Sequence, residues 1–141
     1  MKMWIDTEFN EFRGDLISMA IVAADGKEWY EVLPCENPGP WVAENVIPIL
    51  GKEPIPKKLF QWELHKFLMK YNSVHLIADW PEDIAHFCEA LITAPGQRIN
   101  TPSLTMEIWR DLDAVSEIPH NALSDARAIR DKYLSMSATL Y

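Results

Sequence analysis

Cysteine is nearly missing from this chain: 141 residues hold two, Cys35 and Cys88. They lie far apart and form no CxxC pair, which excludes a disulfide framework and a thiolate zinc site. Long hydrophobic runs are lacking as well. The longest largely apolar stretch, Leu16 to Ala24, is far too short to span a bilayer, and the start, Met1 to Asp6, has no apolar run of the signal-peptide kind. A cytoplasmic protein with no membrane association is expected. Positive charge is in the minority, with 13 Lys and Arg against 21 Asp and Glu and a formal net charge of −8. That balance weighs against a nucleic-acid ligand, because proteins that bind the phosphate backbone usually present a basic surface. Carboxylates gathered around divalent cations count as negative in such a tally, however, and are compensated once metal is bound.

Apolar residues make up 48% of the chain and six are Trp, enough for one substantial core and too little for two. A single domain over residues 1–141 is expected, without repeats or low-complexity tracts. Trp4 to Phe9 reads as a strand and Leu16 to Ala24 as a second, buried on both faces. Asp25-Gly26 supplies hairpin turn chemistry, and Glu28 to Leu33 a third strand that Pro34 stops. Prolines then punctuate an irregular connection from Pro34 to Pro56, with one short helix near Trp41 to Ile49. From Lys57 to Tyr71 the spacing of Phe60, Leu64, Phe67, Leu68 and Tyr71 predicts a helix with Lys57, Lys58, Lys66 and Lys70 on its other faces. Val74 to Ala78 fits a fourth strand. Pro81 opens a helix with a stripe of Ile84, Phe87, Cys88 and Leu91. Ser103 to Trp109 fits either a fifth strand or the start of a helix, and Ser124 to Met136 a final helix with Ala126, Ile129 and Tyr133 on one face. This order predicts an α/β layer around a mixed five-stranded sheet with helices on both faces.

Side chains alternate along a strand, so Asp6 and Glu8 project from the same face ~7 Å apart. An isolated Asp-x-Glu is usually a solvated edge. Here Trp4, Ile5 and Phe9 surround the pair, and acids amid bulky apolar residues are costly unless something compensates them, metal ions being one candidate. His120 stands in a loop five residues before Asp125 at the start of a helix. Ser124 as a cap with Asp125 in the first turn would account for those two residues, but it leaves His120 unexplained, and Ile129 at i+4 turns Asp125 toward the buried side. Asp83 lies in the first turn of the Pro81 helix, where a capping acid would look the same. His65, His75 and His86 share no ligand-like spacing.

Taken together these residues resemble the DEDDh 3′-to-5′ exonucleases of the DnaQ-like or RNase T-like superfamily, which share a ribonuclease H-like fold. Asp6-Thr7-Glu8 is similar to the first motif of that family, and His120 through Ala126 to its third. The second is an Asn, three residues and an Asp; Asp79 and Asp83 have that spacing, with Asp79 where Asn would stand. The likeness is greatest to compact single-domain bacterial or phage exoribonucleases. It implies a two-metal-ion nuclease in which Asp6, Glu8, Asp83 and Asp125 hold two Mg²⁺ or Mn²⁺ ions roughly 4 Å apart and His120 is the general base. The implied partner is nucleic acid, RNA ahead of DNA, with a homodimer allowed. Two rivals share the residues or the fold: a DNA-directed exonuclease and a non-catalytic nucleic-acid or protein-binding module. Phe9 and Phe12 follow the first motif closely enough to stack on bases, or else belong to the core.

Overall fold

The computed structural model describes residues 1–139. Its sheet begins as the expected meander: β1 (Lys2–Phe9), β2 (Leu16–Ala23) and β3 (Glu28–Val32), each antiparallel to the one before. The β2–β3 turn uses Gly26 at φ 90, a conformation open to glycine without steric cost, and Gly26 N–H donates to the Ala23 carbonyl at 3.0 Å. The Pro-rich connection then carries α1 (Pro40–Asn45) and a separate 3-10 turn, Ile47–Ile49, where one continuous helix was expected. Pro48 within the second element removes the amide that would have joined them.

The chain next crosses through α2 (Lys57–Leu68) to β4 (Ser73–Ala78), which pairs parallel with β1. After α3 (Pro81–Ala90) comes a small hairpin that the sequence reading did not anticipate, β5 (Ile92–Ala94) with β6 (Gln97–Arg98). The ambiguous segment 103–109 proves to be a strand, β7 (Ser103–Ile108), parallel to β4. The sheet order is β3-β2-β1-β4-β7, so the mixed five-stranded α/β architecture expected from the element order is observed. No helix among the described residues is long and apolar enough to cross a membrane.

Alternation along β1 and β2 divides the interior. Met3, Ile5, Met19 and Ile21 face α2 and α3, packing on Phe60, Leu64 and Phe87, while Trp4 faces α4 (Ala122–Thr139) and meets Ile129 and Tyr133. Helices therefore cover both faces. Within α3 the expected stripe is only partly right: Phe87 is fully buried, but Cys88 is exposed, its Sγ 3.9 Å from Met106 Sδ, and the inward positions are taken by Asp83 and Ala90. The helix faces the sheet about one position off the expected stripe, so Cys88 falls to its flank.

Beside Trp4, α4 rests on small residues. Ala122 and Ala126 pack on Ala20 and Val22 of β2. Small side chains on both surfaces let helix and sheet approach closely, bringing the first turn of α4 within reach of the β1 acids.

Candidate metal centre

Asp6 and Glu8 emerge from β1 on the α4 side, as alternation requires. Asp6 is paired across the sheet with Ala20, and Glu8 with Ser18. Thr7 points to the other side, where its hydroxyl donates to Asp83 Oδ1 at 2.5 Å. Asp83, 2% exposed, is thereby fixed in the first turn of α3.

The beginning of α4 is built by Asn121, not by Ser124. The Asn121 side-chain Oδ1 accepts from Ser124 N–H at 3.1 Å, and its Nδ2 donates to the Ile49 carbonyl at 2.9 Å. Helix α4 accordingly begins two residues earlier than the capping serine predicted. Ser124 Oγ instead braces the preceding loop, bonding Ser116 Oγ at 2.7 Å and accepting from Ile118 N–H at 2.9 Å. Asp125 is left half-buried in the first turn of α4.

These placements bring all the predicted acids together, and Asp79 with them. One oxygen from each of Asp6, Glu8 and Asp125 lies within 4.8 Å of the others, and the same holds for Asp6, Asp79 and Asp83. The two trios share Asp6. Among the described residues the groups with metal-binding geometry consist of carboxylates alone; His65, His75 and His86 take no part. Asp79, which stands where the resembled family has Asn and was not among the expected ligands, lines the open cleft, whereas Asp83 is buried and does not. That cleft, of about 350 Å³, is lined by Asp6, Asp79, Ser116, His120 and Asp125 among others.

Electrostatics show how unfavourable the cluster is without a cation. Burial, followed by the charges of Asp83 and Glu8, holds the Asp6 carboxyl well above the usual carboxylate range. Burial and then the Asp125 carboxylate push Glu8 up to about 9. Burial pushes Asp83 up to about 7 against the stabilising Thr7 hydroxyl. Asp79 and Asp125 are raised, also chiefly by burial. The Asp6 Oδ2 atom is buried without a hydrogen-bond partner. An oxygen in that position is costly unless a proton or a metal ion completes it, and the donor set, all hard oxygens, suits Mg²⁺ or Mn²⁺.

His120 does not join the acids. It stands exposed at the cleft rim in the left-handed conformation, φ 71, a position uncommon for a residue with a side chain. Its ring meets Trp41 edge-on, with centroids 4.8 Å apart at 81°. Trp41 was not identified from the sequence, since its neighbourhood in the fold depends on Asn10: Asn10 Oδ1 accepts from Gly39 N–H and Asn10 Nδ2 donates to the Asn37 carbonyl, both at 2.8 Å, which straps the β1–β2 loop to the start of α1. The two phenylalanines differ. Phe9 is half-buried and stacks on His86 at 5.0 Å, while Phe12 is 76% exposed and lies 6.2 Å from Trp80.

No protein-family model matches this sequence, and no curated protein sequence matches it significantly.

Proposed function

We propose that the chain is a metal-dependent 3′-to-5′ exonuclease of the DEDDh type, a single domain of ribonuclease H-like fold acting on RNA in preference to DNA. The observation that carries this reading is the pair of carboxylate trios meeting at Asp6, with a histidine across the cleft from them. The sheet order and the helices on both faces are compatible with such a fold. The acidic total of the chain is no obstacle, because much of it is concentrated where cations would offset it.

Asp6 with Glu8 and Asp125, and Asp6 with Asp79 and Asp83, would hold two divalent ions, Mg²⁺ or Mn²⁺. Such ions supply charge for the phosphate and its leaving oxygen in an in-line displacement. The protein's own contribution is geometric and protonic. Thr7 and the Asn121 cap fix the carboxylates, which limits reorganisation when a substrate arrives. His120, at the cleft rim against Trp41, accepts a proton from the attacking water as its oxygen bonds to phosphorus. The phosphorus–O3′ bond breaks, the 3′-oxygen of the shortened chain takes up a proton, and a nucleoside 5′-monophosphate leaves.

End-labelled single-stranded RNA, single-stranded DNA and duplexes with 3′ overhangs, digested with Mg²⁺, with Mn²⁺ and with chelator, test the reading. Mononucleotides released with metal and not with chelator are expected, faster from RNA. Faster release from DNA would favour the DNA-directed rival, and no release from any polymer would leave a binding module.

A further inference from the structure

Strands β4 and β7 run parallel with Ala78 paired to Ile108, and the Trp109 N–H donates to the Ala78 carbonyl at 2.8 Å. The chain therefore leaves the sheet at Asp79-Trp80 and at Trp109-Arg110 from neighbouring strands, which lie ~4.8 Å apart. Arg110 comes to rest with its guanidinium carbon 4.2 Å from the centroid of the Trp80 ring. Asp79, the residue before Trp80, lines the cleft and belongs to the trio with Asp6 and Asp83. A cation is thus held at the edge of the candidate centre.

Arg110 is exposed, and in a chain of net charge −8 its guanidinium makes no hydrogen bond or ion pair with a described residue. Arg127 and Arg130, by contrast, bond to the carboxylates of Glu28 and Asp131. Burial raises the Asp79 carboxyl, and the Arg110 charge acts against that rise. A cation–π contact engages the charge of a guanidinium and leaves its N–H donors available. A planar fork of donors matches the oxygens of a phosphate, and holding it in place beforehand reduces what binding costs in order.

His120 and Arg110 lie toward different trios. His120 precedes Asp125, which groups with Asp6 and Glu8, whereas Arg110 adjoins Asp79 of the other trio. In an in-line displacement the attacking water and the leaving 3′-oxygen take opposite sides of the phosphorus. With the water on the His120 side, the 3′-oxygen and the chain that carries it lie on the Asp79 side. Resting on the nuclease reading above, we infer that Arg110, seated on Trp80, binds the phosphodiester next upstream of the scissile one. A substrate with two phosphodiesters is then held better than one with a single phosphodiester.

The trinucleotide NpNpN carries that upstream phosphodiester and the dinucleotide NpN lacks it. With Mg²⁺, kcat/KM for release of the 3′-terminal nucleotide is expected to be on the order of tenfold higher for NpNpN, the size of one hydrogen bond to a charged group. A methylphosphonate at the upstream linkage, which removes its charge, should slow the unmodified protein by a similar factor and have little effect on Arg110→Gln. Binding supplies a readout apart from cleavage. With Ca²⁺ in place of Mg²⁺, NpNpN should shift the Arg110 Nε–H resonance of the unmodified protein, and its methylphosphonate form should not. A methylphosphonate penalty equal in the two proteins would overturn the inference and leave the nuclease reading standing. The resonance difference without metal-dependent cleavage would keep the phosphate site and sink the nuclease.

Discussion

The Thr7 hydroxyl lies 2.5 Å from Asp83 Oδ1, joining the strand that carries Asp6 and Glu8 to the helix that carries Asp83. This bond adds a polar tie to the core packing of Met3 and Ile5 on Phe87 and fixes where the Asp83 carboxyl sits relative to the β1 acids. Thr7→Val keeps the shape of the side chain and removes the donor. Because Asp83 is buried, the loss is expected to cost about 1–3 kcal/mol of stability and to weaken Mg²⁺ binding. Urea unfolding and a Mg²⁺ titration measure the two effects; an unchanged midpoint would show that the bond contributes nothing.

The acids make stability depend on pH in an unusual direction. Glu8 stays protonated up to about 9 in the folded chain, whereas its ordinary value is 4.5, and Asp83 is raised to about 7. Between the ordinary and the raised values the folded chain binds more protons than the unfolded one, so stability falls as pH rises. In chelator the urea midpoint should therefore decrease from pH 5 through pH 7 to pH 9, and Mg²⁺ should restore most of the loss at the alkaline end. A midpoint that climbs with pH in chelator would contradict the buried, mutually repelling cluster.

Neutralising a proposed ligand should separate stability from activity. Asp6 belongs to both trios and has a buried oxygen without a partner. Asp6→Asn is expected to raise stability in chelator by at least about 1 kcal/mol, to abolish stabilisation by Mg²⁺, and to lower nuclease activity on the order of a hundredfold or more. Asp79→Asn and Asp83→Asn, compared in the same assays, assign the second trio. Both should lower activity, since both reach Asp6; a loss confined to Asp83→Asn would return Asp79 to the role of neighbour.

How much of this was visible in the sequence depends on the range of the forces involved. Alternation in β1 predicted the shared face of Asp6 and Glu8, and helical spacing predicted the α2 core residues, because both follow from local geometry. Segment 103–109 was ambiguous because β7 is an edge strand with side chains exposed on both faces, so no period marks it. Cys88 misled because an apolar stripe does not specify which of two adjacent positions meets the sheet. Asp79 and Trp41 owe their places to long-range contacts. No periodicity in the chain reports that Asn10 straps Gly39, or that Ala20 and Ala122 let α4 settle onto β2.

Asn121 illustrates the same limit in a testable form. A serine and an acid at 124 and 125 resemble a helix start, yet Asn121 is the cap and also reaches Ile49. Asn121→Ala should cost about 1–2 kcal/mol, while Ser124→Ala, which leaves the cap intact, should mainly loosen the loop from Ser116 to His120. Thermal melts rank the two; a larger loss at Ser124 would restore the capping serine.

If His120 is the proposed general base, Trp41 bears on the proton-transfer step. An exposed histidine in a loop has many ring orientations, and the T-shaped contact with the Trp41 ring, centroids 4.8 Å apart, restricts those open to His120. Preorganisation of this kind acts on the rate of chemistry more than on substrate binding. His120→Ala should lower kcat by about 10²–10⁴-fold, and Trp41→Ala by a smaller factor with KM little changed, a loss that Trp41→Phe should partly rescue because an aromatic edge remains. If Trp41→Ala raised KM and left kcat intact, the tryptophan would be contacting substrate rather than orienting the base. Parallel kcat and KM measurements on the three variants distinguish these roles.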